Sequence, residues 1–112
     1  MAYYYLGVDQ GTTNTKVVLL NGTKIISKAI KKIPITFTKE GWVEQDPVKM
    51  IQNIIFCIKY IIKKSKINIK KIKSVGISNQ TETLVVWNKK KGKPIMPAIS
   101  WQCKRSSALI KK

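Results

Sequence analysis

Hydrophobic and polar positions change rhythm several times along this chain, and each change marks an element. Tyr3 to Asp9 is an aromatic and aliphatic run that ends in a polar, glycine-containing stretch, as a short strand does. Thr15 to Leu20 is again β-branched and apolar. Asn21-Gly22 then offers the two positive-φ positions of a type I′ hairpin before Thr23 to Ile30 extends once more. The pattern predicts a three-stranded antiparallel meander. Lys31 to Thr38 alternates apolar with polar but contains Pro34, which cannot donate into a ladder, so it reads as an edge strand or a loop-like connection.

From Asp46 the period changes to that of a helix. Asp46 suits an N-cap and Pro47 the first helical position, while Ile51, Ile54, Ile55, Ile58, Ile61 and Ile62 recur at three-and-four spacing. That stripe is expected to be buried. Lys63, Lys64 and Lys66 complement the helix dipole, and Asn68 is expected to help end the segment. Ile72 to Ser78 and Thr83 to Trp87 read as short strands, and Lys89 to Pro94, with Gly92, as a turn. A last helix is predicted from Lys104 to Lys112. A meander, a crossover helix and a strand returning parallel to the sheet define an α/β layered fold.

Composition narrows the partners. A chain of 112 residues supports one core at most, and 44% hydrophobic with 24% charged residues is ordinary globular usage. No run of about 18 apolar residues occurs and no basic flank precedes a signal-like segment, so a soluble, cytoplasmic protein without a membrane partner is expected. Cys57 and Cys103 have neither metal-ligand spacing nor a C-x-x-C pairing and are expected to be reduced and structural. The net charge of +17 invites a nucleic-acid reading, in which the chain is a small lysine-rich binding module. Against it, 21 of the 22 basic residues are Lys, dispersed among 18 isoleucines, and Arg105 is the single arginine. Base and phosphate recognition favours the arginine fork, so nucleic acid is not the expected partner. The five acids, Asp9, Glu40, Glu44, Asp46 and Glu82, all fall inside segments with motif-like spacing.

The first such segment is Asp9-Gln10-Gly11-Thr12-Thr13-Asn14-Thr15-Lys16. A carboxylate at a strand end can hold Mg²⁺ directly or through water, and a tight Gly-Thr-Thr turn aims N–H and hydroxyl donors at phosphate oxygens. Lys16 adds positive charge. Metal, donors and positioning are what phosphoryl transfer requires, although no Walker loop is present.

These segments resemble the FGGY carbohydrate kinases, in particular their glycerol-kinase branch. Val8-Asp9-Gln10-Gly11-Thr12-Thr13 is similar to the family's phosphate-binding hairpin, and Glu40-Gly41-Trp42-Val43-Glu44-Gln45-Asp46-Pro47 to its Gly-Trp-Val-Glu-x-Asp-Pro segment. Gly76 to Thr83 resembles the strand end that presents an acid to substrate hydroxyls, and Trp101 to Arg105 the stretch whose Trp packs on the substrate's carbons. The resemblance runs from Tyr4 to about Arg105. It implies an actin-like, ribonuclease-H-like lobe, of which residues 1–112 are the incomplete N-terminal part. It further implies ATP and Mg²⁺ as cofactors and transfer of the γ-phosphate to a sugar or polyol hydroxyl. Asp9, Gly11, Thr12, Thr13, Asn14 and Lys16 would face Mg-ATP, with Asp9 toward the metal, and Gln80, Thr81, Glu82 and Trp101 would face the substrate. The family's catalytic Asp and second phosphate site lie downstream in a C-terminal lobe, so these residues alone are expected to transfer no phosphate; the full-length enzyme could be a homo-oligomer. Two positions depart from the glycerol-kinase pattern. Lys16 stands for an Arg, and Thr81 for the Arg that meets a glycerol hydroxyl, so the resemblance implies a larger polyol or a ketose.

Overall fold

The computed structural model describes residues 3–110. Strand β1 (Tyr4–Gln10) pairs antiparallel with β2 (Asn14–Asn21), which pairs antiparallel with β3 (Lys24–Lys32). Helix α1 (Pro47–Ser65) then carries the chain back so that β6 (Ile72–Asn79) lies parallel to β1, giving the sheet order β3-β2-β1-β6. The expected meander, crossover helix and parallel return are all present. Alternation along β1 and β2 sends Leu6, Val8, Val17 and Leu19 to one face, where Cys57 and Ile61 of α1 meet them. Ile61 is fully buried there, a contribution of about 1.5–3 kcal/mol from its side chain.

Asp46 caps α1, its Oδ1 accepting from the N–H groups of Val48 (2.9 Å) and Lys49 (3.3 Å), and Pro47 occupies the first turn. The buried line of the helix follows the isoleucine stripe only in part: Ile61 is buried and Ile54 and Ile58 pack against the core, but the line also runs through Met50, Asn53 and Cys57, while Ile51 and Ile55 are exposed. Isoleucine marks both flanks of the contact, and one of its centres is Asn53, whose Nδ2 donates to the Lys32 carbonyl at 3.1 Å. The helix ends at Lys66, in left-handed conformation (φ 54°), with its N–H on the Ile62 carbonyl; Asn68 caps the following 3-10 turn (Ile69–Lys71) instead.

Three further expectations are corrected. The β2–β3 loop is Gly22-Thr23, with positive φ at Gly22 and Asn21 paired to Lys24, so the turn has the II′ pattern, not I′. The connection after β3 is more ordered than a loop: Ile33 is buried and its N–H reaches the Thr13 carbonyl at 2.8 Å, and β4 (Thr36–Phe37) pairs with β5 (Val43–Gln45). Thr83 to Trp87 is not a continuous strand; Leu84 bridges Ile99, and β7 (Trp87–Asn88) forms a small hairpin with β8 (Lys93–Pro94) around the Gly92 turn. β9 (Ala98–Ile99) adds to β5. Of the last predicted helix the structure shows α2 (Ser107–Ile110), and Lys111 and Lys112 lie outside the described residues. Among the described residues no helix is long and apolar enough to cross a membrane, and both cysteines are free thiols.

Candidate functional site

The parallel pairing of β1 and β6 brings two chain segments to one end of the sheet. Asp9 is level with Lys16 on β2 and Ser78 on β6, and the Gln80 N–H donates to the Gln10 carbonyl at 2.8 Å. The turn from Gly11 to Thr13 therefore emerges beside the loop from Gln80 to Thr83. It is closed by the Gly11 N–H on the Asn14 carbonyl at 3.0 Å, and a Cβ at position 11 would stand 3.3 Å from that carbonyl, so glycine suits it.

The segment from Ser100 folds over both. Ser100 is held by its N–H on the Val43 carbonyl at 3.1 Å, at the end of the β5–β9 ladder. Trp101 then donates its indole Nε1–H to Thr12 Oγ1 at 2.7 Å and its backbone N–H to Thr83 Oγ1 at 3.2 Å. A cleft of about 410 Å³ results, lined by Thr12, Asn79, Gln80, Thr81, Glu82 and Trp101. That volume lies within the range of small-molecule sites. Glu82 sits on it at φ 65°, a left-handed conformation that a glutamate adopts at a cost of order 1–3 kcal/mol.

Of the residues singled out in the sequence, Thr12, Gln80, Thr81, Glu82 and Trp101 share this cleft. Asp9 and Lys16 do not: they line a shallow groove on the sheet face opposite α1, with Gly7 and Gly76 side by side in its floor. Thr13 and Asn14 are exposed on the turn between the two. Another cavity of about 460 Å³, between Thr36, Asp46, Pro47 and Met96, contains none of the residues expected to face Mg-ATP or the substrate. Among the described residues no cluster of three His, Cys, Asp or Glu side chains exists to cage a metal by itself.

Sequence reasoning missed the amides that join these parts. Gln45, 1% exposed, donates Nε2–H to the Thr12 carbonyl at 2.7 Å and accepts from Gln80 Nε2 at 3.0 Å. Thr83 Oγ1 donates to Gln80 Oε1 at 2.8 Å. The capping role of Asp46 had absorbed the signal of its segment, and nothing in hydrophobic periodicity distinguishes a linking glutamine from a solvated one. Trp42 is exposed; the Arg105 guanidinium stacks over it at 4.3 Å and ion-pairs with Glu44 at 2.8 Å.

The α/β lobe that carries this cleft superposes on solved sugar kinases. Gluconate kinase from Lactobacillus acidophilus superposes with a TM-score of 0.88 at 26% identity, over 99% of this chain and 22% of that one. Glycerol kinase from Plasmodium falciparum, solved with ADP, gives 0.86 at 31% identity, over 98% and 22%. The chain belongs to the FGGY family of carbohydrate kinases, whose N-terminal domain matches residues 4–112. It is 42% identical to glycerol kinase from Rhizobium meliloti (strain 1021) over 100% of its own length and 23% of that protein. Against glycerol kinase from Caldanaerobacter subterraneus subsp. tengcongensis it is 40% identical over 97% and 22%. The chain thus spans less than a quarter of the length of the curated relatives it matches.

Proposed function

We propose that these residues form the nucleotide-phosphate grip and part of the sugar pocket of an ATP-dependent polyol or sugar kinase. In this reading the Gly11–Asn14 turn, with Asp9 and Lys16 behind it, faces Mg-ATP, and Thr81, Glu82 and Trp101 face the substrate. The observation that carries it is the Trp101 Nε1–Thr12 Oγ1 bond, which joins the turn to the aromatic wall of the cleft at 2.7 Å. A turn held against the wall of a small cleft suits transfer between a terminal phosphate and a hydroxyl, where catalysis is chiefly positioning and charge stabilisation. A lone carboxylate is what Mg²⁺ needs when phosphates and water supply its remaining ligands, and Asp9 fits that requirement. Bound there, the ion would offset charge on the transferring phosphate.

Thr81 is exposed at the cleft and shorter than the arginine of the glycerol-kinase pattern, leaving room for further substrate atoms. The test is ADP release by the full-length protein with Mg-ATP and a panel of glycerol, tetritols, pentitols and ketopentoses. A longer polyol or ketose is expected to exceed glycerol in kcat/KM. Asp9→Asn is expected to lower kcat by about 10²-fold or more, the rate equivalent of several kcal/mol, with the far-UV circular dichroism unchanged. Near-normal turnover of that variant at saturating Mg²⁺ would make Asp9 structural.

A further inference from the structure

The side-chain amide of Gln80 is fully committed within the protein. Its Nε2 donates to Gln45 Oε1 at 3.0 Å and to the Gly11 carbonyl at 3.4 Å. Its Oε1 accepts from Thr83 Oγ1 at 2.8 Å and from Thr12 Oγ1 at 3.4 Å. A glutamine amide has two N–H donors and two acceptor lone pairs, so these partners fill it. The orientation is fixed as well, because the Gly11 carbonyl can only accept and must face the nitrogen. The hydroxyl protons follow: Thr12 and Thr83 each give theirs to Gln80 and accept from Trp101, through Nε1 and the backbone N–H respectively.

The partners come from three places in the fold, namely the β1–β2 turn, β5 and the loop after β6, and through the two threonines they reach Trp101. We propose that Gln80 is a positioning residue and not a substrate contact, one that fixes the phosphate turn and the wall of the sugar pocket in a single geometry. The inference rests on the kinase reading above and deepens it. Its consequence is that disturbing the amide alters both ends of the site at once, whereas a substrate ligand would alter one.

Three variants of the full-length protein test this. Gln80→Glu keeps the shape but turns an oxygen toward the Gly11 carbonyl and Gln45 Oε1. Thr83→Val removes the hydroxyl between Gln80 and Trp101, and Thr83→Ser keeps it. The first readout needs no activity: the indole N–H resonance of Trp101 in ligand-free, ¹⁵N-tryptophan-labelled protein, assigned by its loss in Trp101→Phe. The second is the pair of KM values for Mg-ATP and for the best polyol of the panel. Gln80→Glu and Thr83→Val are expected to shift the resonance and to raise both KM values by about 2- to 10-fold, the scale of one net hydrogen bond, with Thr83→Ser restoring all three. If Gln80→Glu does not fold, the Thr83 pair carries the same comparison. A rise in polyol KM alone, with the resonance unmoved and Thr83→Val silent, would overturn the proposal. Should the unaltered protein phosphorylate nothing, the kinase reading fails, and the resonance alone decides: a shift in Thr83→Val reversed in Thr83→Ser upholds the link between turn and pocket, and no shift overturns it.

Discussion

Arg105 shows how much a single side chain can join. Its guanidinium stacks on Trp42, ion-pairs with Glu44 and donates from Nε to Cys103 Sγ at 3.1 Å, tying the segment after Trp101 to the strand that carries Gln45. The pair is part-buried, its side chains 18% and 16% exposed, and its effect on the thiol is measurable. Burial pushes Cys103 up, while the Arg105 side chain and the Val43 and Arg105 backbones outweigh it, so its pKa lies below the ordinary thiol value; burial holds Cys57 above it. A lowered pKa means that thiolate persists to lower pH. Iodoacetamide is therefore expected to label Cys103 before Cys57 near neutral pH, and Arg105→Gln to move the alkylation profile of Cys103 to higher pH, read by mass spectrometry. An unmoved profile would deny Arg105 that role. Residues of distinctive chemistry, such as Asp46, Glu82 and Trp101, were legible in the sequence, because a carboxylate or an indole has few uses. Gln45 and Thr83 were not, since an amide or a hydroxyl declares its partner only when the fold supplies one.

At the scale of elements, the sequence was read best where local chemistry and tertiary packing agree. Asp46-Pro47 marks the start of α1 by a mechanism that needs no partner, and alternation along β1 and β2 survives because one face is buried. Removing the cap in Asp46→Ala is expected to cost about 1 kcal/mol, a fall in melting temperature of about 4–8 °C for a chain of this size, measured by circular dichroism. No change in melting temperature would show that the helix start is held by the β5 ladder alone. Elements that exist only through distant pairing escaped: β4 and β5 are two and three residues long, and β9 completes their ladder from far along the chain. The isoleucine stripe, right at Ile54, Ile58 and Ile61, misled elsewhere for a related reason. Lys and Ile so dominate the composition that Ile51 and Ile55 repeat at helical spacing without facing the core.

The whole molecule is drawn out, with extents of 59 × 30 × 22 Å and a radius of gyration of 17.1 Å, where a closed globule of this length would have about 13 Å. Its main core is one layer of helix on one sheet, and β6 stands at the sheet edge with Val75 and Ile77 exposed. The candidate site lies at one end of that sheet, where the β1–β2 turn, the loop after β6 and Trp101 converge. The proposed division of labour puts phosphate on the turn and polyol on Glu82 and Trp101. Glu82→Gln in the full-length protein addresses this most directly, because it removes a charge from the cleft while leaving the amides of the Gln80 network in place. The measurement is KM for the polyol and for Mg-ATP in the same preparation. The account predicts that polyol KM rises about 10-fold or more, as for loss of a charge-assisted hydrogen bond, while Mg-ATP KM stays within about 2-fold. An unchanged polyol KM, or a change confined to Mg-ATP, would contradict it.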